Sequence, residues 1–188
     1  WDRALGVNFG GVVNGVKVFV PLIRAHGEGG HIVNTSSMAG IVPLPGEGGA
    51  YTTAKFAVRG LTESLRLSLA PEGIGVSCLC PGLTRSRIMQ GPDEGGTGLA
   101  REGDPTVLFN SLEGAMDPLE VGAAVVRGIR ENQPYILTHG EFRDEVAGLS
   151  AALLDAFPVG QEVPEARLRF EEGRQSMTEA LRHLPVKD

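Results

Sequence analysis

Residues 30–80, GHIVNTSSMAGIVPLPGEGGAYTTAKFAVRGLTESLRLSLAPEGIGVSCLC, decide the fold. His31 to Thr35 is a short apolar run of strand length, and the loop from Gly40 to Gly49 is rich in Gly and Pro. From about Ala50 to Ala70, Phe56, Val58, Leu61, Leu65 and Leu69 recur at helical spacing. Pro71 and Gly73 end that helix. Gly75 to Cys80 is a second strand, stopped by Pro81-Gly82. Strand, long helix and strand in that order predict parallel pairing through a crossover helix.

The same alternation extends outward. Residues 2–26 predict a long helix, with Leu5, Val12, Val16, Phe19 and Ile23 at helical spacing and Gly27, Gly29 and Gly30 after it. Downstream, Leu83 to Asp117 is rich in Gly, Asp and Glu without a clear period, and predicts a loop with a short helix near Thr106–Leu112. Asp117 has the chemistry of an N-cap and Pro118 suits the first helical position, opening a helix to about Asn132. Tyr135 to Thr138 predicts a third strand. The tail, residues 141–188, predicts two charged amphipathic helices separated near Pro158–Pro164, packed over a substrate site or a second subunit.

One domain over residues 1–188 is expected, since no repeat or linker divides the chain. Parallel strands are covered on both faces. Three strands would leave apolar helix surface open, and the chain opens inside a helix with no cap before Trp1. Both features predict membership of a larger doubly wound sheet.

Composition narrows the function. Apolar residues make up 41% of the chain and the formal net charge is −6, which suits a soluble protein and argues against nucleic-acid partners. The apolar stretch from Val16 to Ile23 is broken by Lys17 and Pro21 and is too short to span a bilayer. Cys78 and Cys80, i and i+2 on a strand, share a face in a poor geometry for bridging, so reduced thiols and a cytoplasmic setting are expected. His26, His31, His139 and His183 lack metal-ligand spacing, and His139 falls just past the last strand, at the rim of the strand ends.

Chemistry concentrates at Tyr51 and Lys55. At i and i+4 on a helix, a phenol and an ammonium project from one face. A cation beside the phenol favours its ionised form and suits a group that exchanges a proton with a carbonyl or an alcohol. Four motifs stand together: Val7-Asn8-Phe9-Gly10; Gly30 to Gly40 with Ser36-Ser37; Tyr51 to Lys55; and Cys80-Pro81-Gly82-Leu83-Thr84-Arg85-Ser86. Over residues 1–88 the chain resembles the compact short-chain dehydrogenase/reductase family in motif order and spacing.

The resemblance implies an α/β Rossmann-like doubly wound parallel sheet, here incomplete, without its N-terminal strands. It implies an NAD- or NADP-dependent oxidoreductase acting on a small carbonyl or alcohol. The implied catalytic tetrad is Asn8, Ser37, Tyr51 and Lys55. Tyr51 would be the general acid/base. Lys55 would lower its pKa and hold the nicotinamide ribose, and Ser37 would hold the substrate oxygen. Asn8 would bind a water leading from Lys55 to solvent. Thr35, Pro81, Gly82, Thr84 and Ser86 would surround the nicotinamide, with the Thr84 backbone and the Ser86 hydroxyl meeting its carboxamide. Residues 83–117 would be a substrate lid, and residues 41–49 the opposite wall of the pocket. The helices at 2–26 and 50–70 would form the interface of a homodimer or homotetramer.

These residues contain no glycine-rich phosphate turn between a strand and a helix. The chain by itself is therefore expected to hold the cofactor poorly and does not choose between NAD and NADP. A non-catalytic dimerisation or binding module is the alternative, and an extended-type epimerase or dehydratase with the same Tyr–Lys pair is a third reading.

Overall fold

The computed structural model of the chain describes residues 1–86 and 114–187. The short helix expected near Thr106–Leu112, and most of the expected lid at 83–117, lie outside those residues.

Helix α1 spans Asp2–His26. Val16, Val20 and Ile23 pack against Ile32, Ile74 and Val76 of the sheet and against Leu65 and Leu69 of the second helix. Within α1 the segment Gly6–Gly10 is a π-turn, which helical periodicity did not foretell. Taken as a whole, α1 is long and apolar enough for a membrane span by length and composition alone, longer than the Val16–Ile23 stretch suggested. One face lies on the sheet, while Val18, Phe19 and Leu22 on the other are exposed.

Strand β1 is Gly30–Thr35, helix α2 is Gly49–Leu69, and strand β2 is Ile74–Cys80. Helix α3 is Pro118–Arg130 and strand β3 is Tyr135–Leu137. The sheet order is β1-β2-β3, and both pairings are parallel, with Gly30 opposite Ile74, Thr35 opposite Leu79 and Cys78 opposite Tyr135. Central β2 is buried at every position, as a strand covered on both faces must be. Ile74 and Val76 face α1 and α2, whereas Leu79 meets Val121 of α3 with Ile136 and Val33. Helices thus cover both faces, in the doubly wound pattern expected.

Two polar devices fix this packing. Asp117 caps α3 by accepting from the Leu119 amide at 2.8 Å, with Pro118 in the first turn. Arg66 of α2 donates to the Val76 carbonyl at 2.6 Å and to the Asn132 carbonyl at 2.7 Å, holding Asn132 at φ 48 after α3.

The tail forms α4 (Arg143–Asp155) and α5 (Glu165–Arg182), both largely exposed. Only its beginning lies near the serine loop, where Phe142 and Val146 pack on Met38, Val42, Cys78 and Cys80. Its end returns to the N-terminal ends of the strands, where the Lys187 amide donates to the Gly73 carbonyl at 2.9 Å.

Candidate active site

The C-terminal ends of parallel strands are where open α/β sheets gather their ligands, and the predicted residues meet there. The pairing of β1 and β2 continues past the strands: Ser36 N–H donates to the Leu79 carbonyl and Met38 N–H to the Pro81 carbonyl, both at 2.8 Å. Ser37 is fully extended and caps the turn Met38–Gly40, its Oγ accepting from the Ala39 amide at 3.1 Å. The same hydroxyl donates weakly toward the Pro81 carbonyl at 3.5 Å.

Tyr51 lies in the first turn of α2, where the helix N-terminus favours negative charge. Its phenol lies close enough to the Ser37 hydroxyl for that group to draw its pKa down, so the fold brings serine and tyrosine together. Lys55, one turn on, is buried and places Nζ 5.5 Å from the Tyr51 ring centre. That ammonium donates to the Thr35 carbonyl at 3.2 Å. Thr35 therefore contributes its main chain toward Lys55, while its side chain is exposed.

The electrostatics differ from the expectation that Lys55 lowers the tyrosine pKa. Burial pushes the Tyr51 phenol above its ordinary value, and the Ser37 hydroxyl only partly offsets it. Burial likewise pushes the Lys55 ammonium down, opposed by the Cys78 and Cys80 sulfurs. At neutral pH the phenol is protonated, the form that donates to a carbonyl oxygen.

Two residues that sequence reasoning did not place at the centre build the frame. Ser36 is buried, and its hydroxyl donates to the Lys55 carbonyl at 2.8 Å, tying α2 to the strand end. Gly40 permits this approach: a Cβ there would stand 2.8 Å from the Lys55 oxygen and closer still to Ser36 Oγ. The paired serines were the only sequence signal for this lock.

Asn8 sits in the π-turn of α1, half-buried, and its side-chain amide donates to the Ala4 carbonyl at 3.1 Å. A π-turn shifts backbone carbonyls out of the regular ladder, a device frequent at functional sites. Thr84 donates its hydroxyl to the Gly82 carbonyl at 3.2 Å and bridges Met116. Ser86 is exposed just beyond. The ends of the 83–117 segment are tied together: Arg85 N–H donates to the Met116 carbonyl, Met116 N–H to the Leu83 carbonyl, and Arg85 pairs with Asp117. Among the described residues no cluster of three or more metal-ligating side chains occurs.

Comparison with known proteins places this geometry. The family model for short chain dehydrogenase matches residues 1–95. A C alpha-dehydrogenase of a Sphingobium species is 33% identical over 178 residues, which cover 91% of this chain and 58% of the relative. A short-chain dehydrogenase structure from Novosphingobium aromaticivorans superposes with a TM-score of 0.76 at 34% identity, over 98% of this chain and 60% of that one. A Burkholderia phymatum short-chain dehydrogenase/reductase, solved in complex with NAD, gives 0.69 at 31% identity over 87% of this chain and 62% of that one. A Sphingobium yanoikuyae short-chain dehydrogenase, solved with NADPH, gives 0.51 at 26% identity over 77% of this chain and 52% of that one. The chain thus spans just under three fifths of that C alpha-dehydrogenase. With the motif order, the parallel sheet and the family match in agreement, the chain belongs to the short-chain dehydrogenase family.

Proposed function

We propose that the protein is an NAD(P)-dependent oxidoreductase that moves a hydride between the nicotinamide and a small carbonyl compound or secondary alcohol. The observation that carries this reading is the meeting of Ser37, Tyr51 and Lys55 at the ends of β1 and β2.

Tyr51 acts as general acid in reduction and as general base in oxidation, donating or accepting the proton at the substrate oxygen. Ser37, beside the phenol, holds and polarises that oxygen. The bound nicotinamide supplies or takes the hydride. The donor set fits such a cofactor: one proton of the buried Lys55 ammonium goes to the Thr35 carbonyl, and its other donors suit ribose hydroxyls. Thr35, Pro81 and Gly82 border the nicotinamide, while the Thr84 backbone and the Ser86 hydroxyl meet its carboxamide. Asn8 holds a water that passes protons from Lys55 to solvent. The structures of relatives with NAD and with NADPH support the cofactor class.

The exposed apolar face of α1, carrying Val18, Phe19 and Leu22, together with exposed Phe56 on α2, supports self-association through these two helices. Free, buried Cys78 and Cys80 accord with a cytoplasmic setting. The segment 83–117 serves as the substrate lid in this reading.

The reading is tested by following nicotinamide absorbance with the full-length protein across secondary alcohols and their ketones. Turnover with NAD or NADP is expected. A protein of which this chain is an active, folded part but which turns over neither cofactor contradicts it, and directs attention to the dimerisation face.

A further inference from the structure

Several observations meet at His139, just past β3. The side chain is buried, at 8% exposure. Its Nδ1 accepts from the Gly82 amide at 3.0 Å, and its Nε2 lies 3.0 Å from the Leu83 carbonyl. An amide N–H only donates and a carbonyl only accepts, so both bonds require a neutral imidazole with its proton on Nε2. With Nδ1 unprotonated, the Thr138 hydroxyl 2.8 Å away donates to it and shares its single lone pair with the Gly82 amide.

The ring also rests on the turn itself. A Cβ at residue 82 would stand 2.7 Å from ring carbons of His139 and 3.0 Å from Phe142, so Gly82 is the only residue this contact admits. Phe142 meets the imidazole edge-on with ring centres 6.5 Å apart, fixing its plane. The turn after β2 is therefore tied at two places: at Pro81 to the serine loop, through the Met38 amide and the Ser37 hydroxyl, and at Gly82 and Leu83 to one histidine.

We propose that His139 is a positioning residue for hydride transfer. Neutral and protonated on Nε2, it locks the Pro81–Leu83 turn, and with it the following Thr84 and Ser86, in the shape that receives the nicotinamide; it does not itself touch the reacting atoms. This inference rests on the nicotinamide-dependent reading above. The physical reason is the cost of a part-buried amide that loses its acceptor: deprived of Nδ1, the Gly82 peptide turns to find another partner and carries the cofactor-facing residues with it.

The test compares His139→Leu, His139→Asn and wild type in the full-length protein. Leucine removes both bonds. Asparagine keeps an acceptor close to the position of Nδ1 and so restores the Gly82 bond alone. His139→Leu is expected to raise the KM for the nicotinamide cofactor and lower kcat by about tenfold, the scale of a part-buried donor losing its acceptor. His139→Asn should recover part of that loss. A leucine variant that melts earlier yet keeps wild-type cofactor KM and kcat overturns the proposal, because a purely structural role moves stability alone.

Nitrogen-15 NMR of the imidazole in the wild-type protein needs no variant, so it stands even where the leucine protein fails to fold. The Nε2-protonated neutral tautomer is expected, and an Nδ1-protonated ring overturns the proposal. Wild-type protein without NAD(P) turnover overturns the functional reading and this inference together. Wild-type turnover with unmoved His139 variants overturns this inference alone.

Discussion

Replacing Gly40 by alanine adds one carbon where the serine loop crosses the helix that carries Tyr51 and Lys55. The new Cβ would stand 2.8 Å from the Lys55 carbonyl oxygen and 3.0 Å from its carbon, with Ser36 Oγ nearer still. All three atoms belong to buried residues, so the carbon has no open space to enter. Relief requires α2 or the Met38–Gly40 turn to back away by several tenths of an ångström. Overpacking of this kind costs about 1–3 kcal/mol. The same displacement stretches the 2.8 Å bond from Ser36 to the Lys55 carbonyl, which adds about 1 kcal/mol. The sum, about 2–4 kcal/mol, corresponds to a fall in melting temperature of about 4–16 °C for a domain of this size.

Guanidinium unfolding of wild type, Gly40→Ala, Ser36→Ala and the double variant measures the effect. Because Ser36→Ala removes the nearest colliding atom, alanine at 40 should cost less in that background, with a coupling of about 1 kcal/mol. A Gly40→Ala protein within about 0.5 kcal/mol of wild type would refute the close approach on which the placement of Lys55 depends.

Three further outcomes are expected. Burial raises the Tyr51 phenol, and burial with the Glu63 hydrogen bond pushes Tyr135 up to about 12. Unfolded tyrosine ionises near about pH 10, so this stability is full below that pH and is lost as pH rises through the folded values; urea midpoints should fall above pH 10, less so in Tyr135→Phe, and a flat profile would contradict it. Asp117→Ala removes the acceptor of the Leu119 amide and should cost about 1 kcal/mol in chemical denaturation. Cys78 and Cys80 are fully buried, with sulfurs 3.7 Å apart in a weak hydrogen bond and no disulfide, so an aromatic disulfide reagent should titrate them only after unfolding; rapid reaction of the native protein would contradict that burial.

Much of this molecule could be read from local sequence because local rules dominate there. Tyr51 and Lys55 share a face by helical geometry alone, and Asp117-Pro118 opens α3 through chemistry confined to one turn. The reading of Gly75–Cys80 as a strand matched one buried at every position. What escaped depends on groups distant in sequence or on a change too small for periodicity. The π-turn at Gly6–Gly10 shifts hydrogen bonds without disturbing the apolar stripe of α1. The Ser36–Lys55 tie joins residues 19 apart, and the His139–Gly82 tie joins residues 57 apart. The return of Lys187 to Gly73 carries no sequence signature. The direction of the Tyr51 shift was missed because it is set by burial, a property of the whole fold, which outweighs the effect of Ser37.

The central claim is that Tyr51 passes the proton while Ser37 and Lys55 hold its surroundings in place. It is tested most directly by Tyr51→Phe in the full-length protein, measuring kcat and the cofactor Kd side by side. The account predicts a loss of about 10²–10⁴ in kcat, the usual contribution of a positioned acid/base, with the Kd little changed. Full turnover by the phenylalanine variant would contradict it.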